Sequence, residues 1–320
     1  MIKRIIISGS AGFIGNNLKD LFIKKGYEVY GIDKKNKLQR MFIKKFPKNS
    51  NYKFFKINLS SKNNISKVQE KFKNIEFDSF WHFAANSDIS KGSKNIEIEF
   101  KDTFLTTKNS LEIARMLNIK KFVFASSSAI FGSVDYKISE NYGPCLPKSN
   151  YGAMKLSSEG LISTYSIFFQ KIIIARFPNV VGVDNTHGLI FDMLKKSKKT
   201  NKIKVLGNGF QKKPYIHVYD LINILFKIYK RKSNNITEIY NIGPDDRGIT
   251  VRHIIKKLSS LKIFTKKKFI YEKKLVGWIG DIPKYSYDIK KLKKILKISN
   301  INSSKTAINI TINQIKKITE

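Results

Sequence analysis

Tyr151 and Lys155 stand four residues apart in the stretch S-N-Y-G-A-M-K-L-S-S-E, Ser149 to Glu159. In a helix, four steps of about 100° return to within roughly 40° of the start, so the phenol and the ammonium share a face, one turn apart. Tyrosine is a poor base at neutral pH, since its ordinary pKa is about 10, but a nearby ammonium favours the phenolate and lowers that value. The spacing therefore predicts a usable proton acceptor at Tyr151. An amphipathic helix with a tyrosine and a lysine at its rim has the same spacing, so the elements that position the pair must decide between the two.

Those elements begin at the N-terminus. Lys3 to Ser8 is a near-continuous β-branched run of the kind buried on both faces of a parallel sheet. It leads into Gly9-Ser10-Ala11-Gly12-Phe13-Ile14-Gly15, and a helical pattern follows to about Gly26. A strand, a glycine turn and a helix in that order aim backbone N–H groups and a helix N-terminus at a phosphate. A second strand, Tyr27 to Ile32, ends in Asp33, where a carboxylate accepts hydrogen bonds from a ribose and repels a 2′-phosphate. That favours NAD over NADP, although Lys34 and Lys35 directly after it would tolerate the phosphate.

Further strands are expected at Lys53 to Asn58, Phe77 to Phe83, Lys120 to Ser126 and Lys171 to Arg176. Helices are expected at Asn63 to Lys73, at Asn95 to Leu117 and around Tyr151. The alternation argues an α/β, Rossmann-type, doubly wound parallel sheet, in which ligands bind at the carboxyl ends of the strands. The glycine turn and Ser126-Ser127-Ser128 both fall there, although serines at strand ends are often only turn formers.

The motifs G-S-A-G-F-I-G, W-H-F-A-A (Trp81 to Ala85), A-S-S-S-A-I-F-G (Ala125 to Gly132) and Y-G-A-M-K occur in the order seen in extended short-chain dehydrogenases/reductases. With R-F-P-N-V-V-G from Arg176, P-Y-I-H-V-Y-D from Pro214 and Y-N-I-G from Tyr240, the similarity covers nearly the whole chain. The chain resembles the NAD-dependent nucleotide-sugar epimerase/dehydratase family, nearest in its motifs to UDP-glucose 4-epimerases.

The resemblance implies Tyr151 as general base and acid, Lys155 as ribose ligand and modulator of the phenol, and Ser127 as the hydroxyl on the reacting oxygen. Ser127 follows from the register of Phe131-Gly132; without it Ser126 or Ser128 fits almost as well. The cofactor, NAD, would be held by Gly9, Gly12, Phe13, Ile14, Gly15, Asp33, Asn58, Leu59, Ala84 and Ala85, together with Tyr151 and Lys155. A nucleotide-sugar substrate would meet Ser127, Ser128, Asn179 and Lys213. Ala84 and Ala85 also suit tight core packing, and Asn179 suits a turn after Pro178.

The chain also departs from the family pattern. Asn58 replaces a usual aspartate, Phe131 a tyrosine and Lys213 a diphosphate-binding arginine, and Trp278 takes the place of a second arginine. Related dehydratases carry an Asp-Glu pair where Ser128 and Ala129 stand, and related decarboxylases keep a glutamate at the second of these positions. The implied reaction is therefore epimerisation through a transient 4-keto sugar. A nucleotide-sugar reductase or dehydrogenase would use the same residues, and a noncatalytic dinucleotide-binding protein is a reading of another class.

The implied organisation is an NAD-binding domain over residues 1–178 and a smaller mixed α/β substrate domain over 179–320, with a strand at Glu238 to Ile242 rejoining the main sheet. Helices at Val218 to Arg231, Thr250 to Leu261 and Asp288 to Leu296 are expected, with a surface helix of little functional meaning at Ser303 to Glu320. The resemblance further implies a homodimer built on helices around Thr103 to Leu117 and Tyr151 to Phe169, with Phe104, Leu111, Ile162 and Phe169 as apolar anchors.

Composition sets the remaining bounds. A chain of 320 residues with 42% hydrophobic content buries a sizeable core. No apolar run approaches the ~18 residues that cross a bilayer, which predicts no membrane partner and a cytoplasmic location. One cysteine, Cys145, excludes an internal disulfide, and four scattered histidines show no metal site. The net charge of +37 raises nucleic acid as a partner, but only seven of the 61 basic residues are arginine. Short lysine runs on permissive surfaces account for the excess, and no nucleic acid is expected.

Overall fold

The computed structural model describes residues 2–35, 50–278 and 280–319. Among the described residues seven strands form one sheet: β1 (Arg4–Ser8), β2 (Glu28–Asp33), β3 (Tyr52–Lys56), β4 (Ser79–His82), β5 (Lys121–Ser127), β6 (Lys171–Phe177) and β7 (Thr237–Asn241). Their spatial order is β3-β2-β1-β4-β5-β6-β7 and every pairing is parallel. The order reverses between β1 and β4, the place where open α/β sheets bind ligands.

The isoleucine run of β1 shows why the sheet is doubly wound. Ile5 and Ile7 face a core shared with Leu18, Phe22, Trp81, Leu221 and Leu225, whereas Ile6 faces the opposite core with Tyr30, Phe72, Leu111, Phe124 and Ile162. Strand residues alternate between faces, so both faces must be covered, and each such side chain contributes about 1.5–3 kcal/mol by leaving water. A third core belongs to the C-terminal part and joins Val181, Ile190, Met193, Ile203, Ile254, Leu258 and Ile308. The strand expected near residues 238–242 is β7, in register with β6 from Thr237↔Ile172 to Asn241↔Arg176.

Three expectations change. The single helix expected over Asn95 to Leu117 is broken into a short helix Ile96–Glu99, a π-helical turn Phe100–Leu105 and a helix Thr106–Met116. Thr106 and Thr107 hydroxyls donate back to Thr103 O at 3.0 and 2.9 Å, the kind of competition with the backbone ladder that bends helices. The last helix, Ser304–Thr319, is part of the third core: Ala307, Ile308, Ile312 and Ile315 are buried, while Ile318 is exposed. Finally, Leu111, Ile162 and Phe169 belong to the chain's own interior and are not available as interface anchors.

Candidate active site

The glycine turn follows β1 at the switch point. Gly9 has φ +73°, and a Cβ there would lie 2.7 Å from the backbone of Phe83 and Ala84 at the end of β4. A Cβ on Gly15 would fall 2.2 Å from Gly9 O, so turn and helix close on one another only because both positions are glycine. Gly12 precedes the helix Phe13–Lys24, and no side chain caps that N-terminus. Phe13 is buried in the core, where its ring would lie 2.9 Å from a Cβ on Gly182.

Asp33, at the end of β2, accepts from Ala11 N at 3.1 Å and Lys35 N at 3.0 Å, which fixes the carboxylate beside the turn. Ala84 and Ala85 are half-buried along the rim of the same crevice. Exposed Asn58 is less free than its sequence suggests: its amide oxygen accepts from Ser60 N at 3.1 Å and Ser60 Oγ at 2.9 Å. Leu59 is buried, and its carbonyl accepts from Asn109 Nδ2 at 2.6 Å.

The three serines after β5 separate by their partners. Ser126 Oγ donates to Glu159, which is itself gripped by Arg176 Nε at 3.0 Å, so Ser126 belongs to a buried structural ion pair. Ser128 Oγ donates to Tyr285 Oη at 3.0 Å. Ser127 Oγ accepts from Ala129 N at 3.1 Å, and its hydroxyl stands close enough to the Tyr151 phenol to favour the phenolate.

Tyr151 lies in the first turn of the helix Asn150–Thr164, whose N-cap Ser149 accepts from Gly152 N at 3.1 Å. A Cβ on Gly152 would sit 2.3 Å from Ala129 O, so this glycine lets the helix dock on the serine turn. Lys155 is 1% exposed and donates from Nζ to Ala125 O at 2.6 Å. Its ammonium lies 4.6 Å from the Phe124 ring centre and 5.8 Å from that of Tyr151. The structure thus brings Ser127, Tyr151 and Lys155 together at the carboxyl end of β5.

The electrostatics correct one expectation. Burial, and then the Glu99 carboxylate, push the Tyr151 phenol above the ordinary tyrosine value, and the neighbouring Ser127 hydroxyl acts in the other direction. Lys155 is drawn down to about 7 by burial, with Glu99 and Glu159 opposing the fall. At neutral pH it is not a full positive charge, so the lowering expected from it at Tyr151 does not prevail.

Several participants lie outside the motif reading. Glu99 is fully buried beside the pair. His82, also fully buried, is held neutral by burial and by Lys155; it contacts Ser8 Oγ at 2.7 Å and Thr107 Oγ1 at 3.0 Å, tying β1, β4 and the 106–116 helix together. Tyr285 Oη receives hydrogen bonds from both Ser128 and Asn179, the latter at 3.4 Å, and so bridges two expected substrate contacts. Lys213 is ion-paired to Asp281, which accepts from Gly277 N at 3.3 Å next to Trp278. The polar stripe Glu99, Thr103, Thr107 at four-residue spacing was the available sequence signal for Glu99; Tyr285 had none.

A parallel sheet of this order with a glycine cradle at its switch point defines a Rossmann-type dinucleotide-binding protein. The profile of the NAD dependent epimerase/dehydratase family matches residues 5–243, and the chain belongs to that family. A UDP-glucuronate 4-epimerase of Thermodesulfobacterium geofontis is 26% identical over 98% of this chain and 96% of its own. A UDP-N-acetyl-alpha-D-glucosaminuronate decarboxylase of Bacillus cytotoxicus is 26% identical over 92% of each. The crystal structure of a UDP-galactose 4-epimerase superposes with a TM-score of 0.81 at 26% identity, covering 98% of this chain and 99% of that one. NAD is the cofactor of this family, and the Gly9, Gly12 and Gly15 cradle, with Asp33 fixed beside it, fits a dinucleotide.

Proposed function

We propose that the protein is a nucleotide-sugar epimerase that works through a transient 4-keto sugar. The observation that carries this reading is the assembled Ser127, Tyr151 and Lys155 set, flanked at 128 and 129 by a serine and an alanine. Elimination of water needs an acid for the leaving hydroxyl and a base for the proton beside the ketone. Ser128 is committed to Tyr285, and Ala129 has no group that can act as acid or base. Glu99 is fully buried with both oxygens engaged by Asn86 and Thr103, so it does not supply the missing carboxylate.

In this reading Tyr151 takes the proton of the sugar 4-hydroxyl and, once the 4-keto sugar has turned over so that hydride returns to its other face, gives a proton back to the same oxygen, which Ser127 holds. Bound NAD supplies the hydride acceptor and, on return, the donor. Lys155 would hold the nicotinamide ribose, the glycine cradle the pyrophosphate and Asp33 the adenosine ribose, which would select NAD over NADP. Asn179 and the Lys213–Asp281 pair face the nucleotide-sugar, and residues from 179 onward act as the substrate domain. Incubated with a panel of UDP-sugars and NAD, the protein is expected to yield an epimer of unchanged mass with no net rise in NADH absorbance, and NADP is not expected to replace NAD. A product lighter by one water overturns the reading, and steady NADH accumulation would identify a dehydrogenase.

We further propose a homodimer through the 96–116 and 150–168 segments, with anchors different from those expected in the sequence. Phe100 and Phe104 stack at 5.8 Å with Phe100 exposed, and Ile167, 81% exposed, lies at the other end beside Phe168. Light scattering at micromolar concentration is expected to give a dimer mass, and the Phe100→Asp, Ile167→Asp double variant a monomer. A monomeric wild type would sink the proposal.

A further inference from the structure

Glu99 carries a carboxylate to a position with no solvent exposure, and the reading above makes no use of it. Its Oε1 accepts from Asn86 Nδ2 at 2.7 Å and its Oε2 from Thr103 Oγ1 at 2.7 Å. Asn86 directly follows Ala84-Ala85, and its backbone N–H donates to Thr103 Oγ1 at 3.2 Å. A Cβ on Gly92 would lie 1.9 Å from Glu99 Oε1, so the carboxylate fits only because position 92 is glycine. The Gly92 carbonyl accepts from Asn150 Nδ2 at 3.1 Å, and Asn150 is the residue before Tyr151.

One carboxylate therefore joins the strand-end segment that lines the crevice, the helical break at 100–105 and the start of the Tyr151 helix. Such breaks recur at functional sites because they re-aim side chains within an otherwise regular helix. A carboxylate buried this deeply is stable only with hydrogen bonds and a facing cation. The groups that face it are Lys155 and Tyr151 from the packed helix and Asp102 from its own segment, while Glu159 acts on Lys155 from elsewhere on the Tyr151 helix.

We propose that Glu99 is a positioning residue for the Tyr151–Lys155 pair, a fixed counter-charge for Lys155 and a strut that holds the Ala85-Asn86 segment against the Tyr151 helix. The proposal rests on the catalytic reading of that pair. Its electrostatic consequence has a definite sign. A fixed negative charge favours the ammonium over the neutral amine and the phenol over the phenolate, so its removal moves both groups to ionise at lower pH.

Glu99→Gln keeps the volume and an acceptor for Asn86 Nδ2, with its amide N–H left to donate to the Thr103 hydroxyl, while removing the charge, and Glu99→Ala removes the charge and the polar contacts together. In the full-length protein labelled at the hydroxyl-bearing tyrosine carbon, with the Tyr151 resonance identified by its loss in Tyr151→Phe, NMR titration reads the phenol directly. Tyr151 is expected to titrate at lower pH in Glu99→Gln than in wild type, and the acid limb of kcat/KM to move the same way, with the KM for NAD little changed. Glu99→Ala is expected to raise that KM about tenfold as well, because the strut is lost. An unchanged Tyr151 titration in Glu99→Gln overturns the proposal. The titration needs no turnover, so a shifted titration in a protein that epimerises no sugar would refute the proposed reaction and leave the role of Glu99 standing. Should the alanine variant fail to fold, the glutamine variant alone decides.

Discussion

Replacement of Tyr151 by phenylalanine is expected to reduce turnover by about 10²-fold or more while cofactor binding is largely retained. The substitution removes one hydroxyl and leaves the ring, its approach to the Lys155 ammonium and the docking of Gly152 on Ala129 in place. What is lost is the group that accepts the sugar proton and returns it, a transition-state contribution of about 2.7 kcal/mol or more, since each tenfold in rate corresponds to about 1.36 kcal/mol. The phenol ionises above the ordinary tyrosine value, so wild-type activity on the acid side is expected to rise with pH as the phenolate becomes accessible. The phenylalanine variant is expected to lose that limb. Steady-state rates across pH, with bound NAD measured by mass spectrometry after denaturation, check both halves. A variant with wild-type turnover would remove Tyr151 from the mechanism.

The parts of this site that were legible in the sequence are those fixed by local spacing. A β-branched run, three glycines and an acidic residue after the next strand define the cradle through backbone geometry alone, and their order survives folding unchanged. The Tyr151 and Lys155 pair is legible for the same reason, because i and i+4 meet on any helix. Properties that depend on distant partners were not legible. Ser126, Ser127 and Ser128 are chemically identical in sequence, and only Glu159, Tyr151 and Tyr285, brought in by tertiary contacts, give them different roles.

The ionisation of the pair failed in sequence for a related reason. Spacing shows the ammonium near the phenol but not the burial of both or the Glu99 carboxylate beside them. The unbroken helix expected from Asn95 to Leu117 failed because threonine hydroxyls compete with the backbone ladder, a local effect that hydrophobic periodicity does not register. At the other end of the chain, residues 307, 308, 312 and 315 form the buried stripe of the last helix. A set including Ile310 and Ile318 fits the same spacing almost as well until the neighbouring core selects one.

Lys155 offers the sharpest separation of stability from function. In the unfolded chain its amine ionises near the ordinary lysine value, whereas in the folded protein burial brings it down to about 7. The folded state therefore binds the proton less tightly than the unfolded state. Stability should rise with pH across the window from about 7 to about 10.5, and below that window the full penalty applies. Lys155→Met removes the penalty at neutral pH. It also leaves Ala125 O without its donor and the buried Glu99 carboxylate without its facing cation, losses that oppose the gain at pH 7, so the variant is expected above all to lose the rise in stability between about pH 7 and about 10.5. Turnover is expected to fall by about 10²-fold or more, because the ribose loses its ligand and the cofactor is no longer held against Tyr151. Denaturant unfolding at neutral and alkaline pH reads the first effect, and steady-state kinetics the second. A methionine variant that keeps the wild-type rise in stability on going alkaline would show that Lys155 is not the desolvated cation the structure presents.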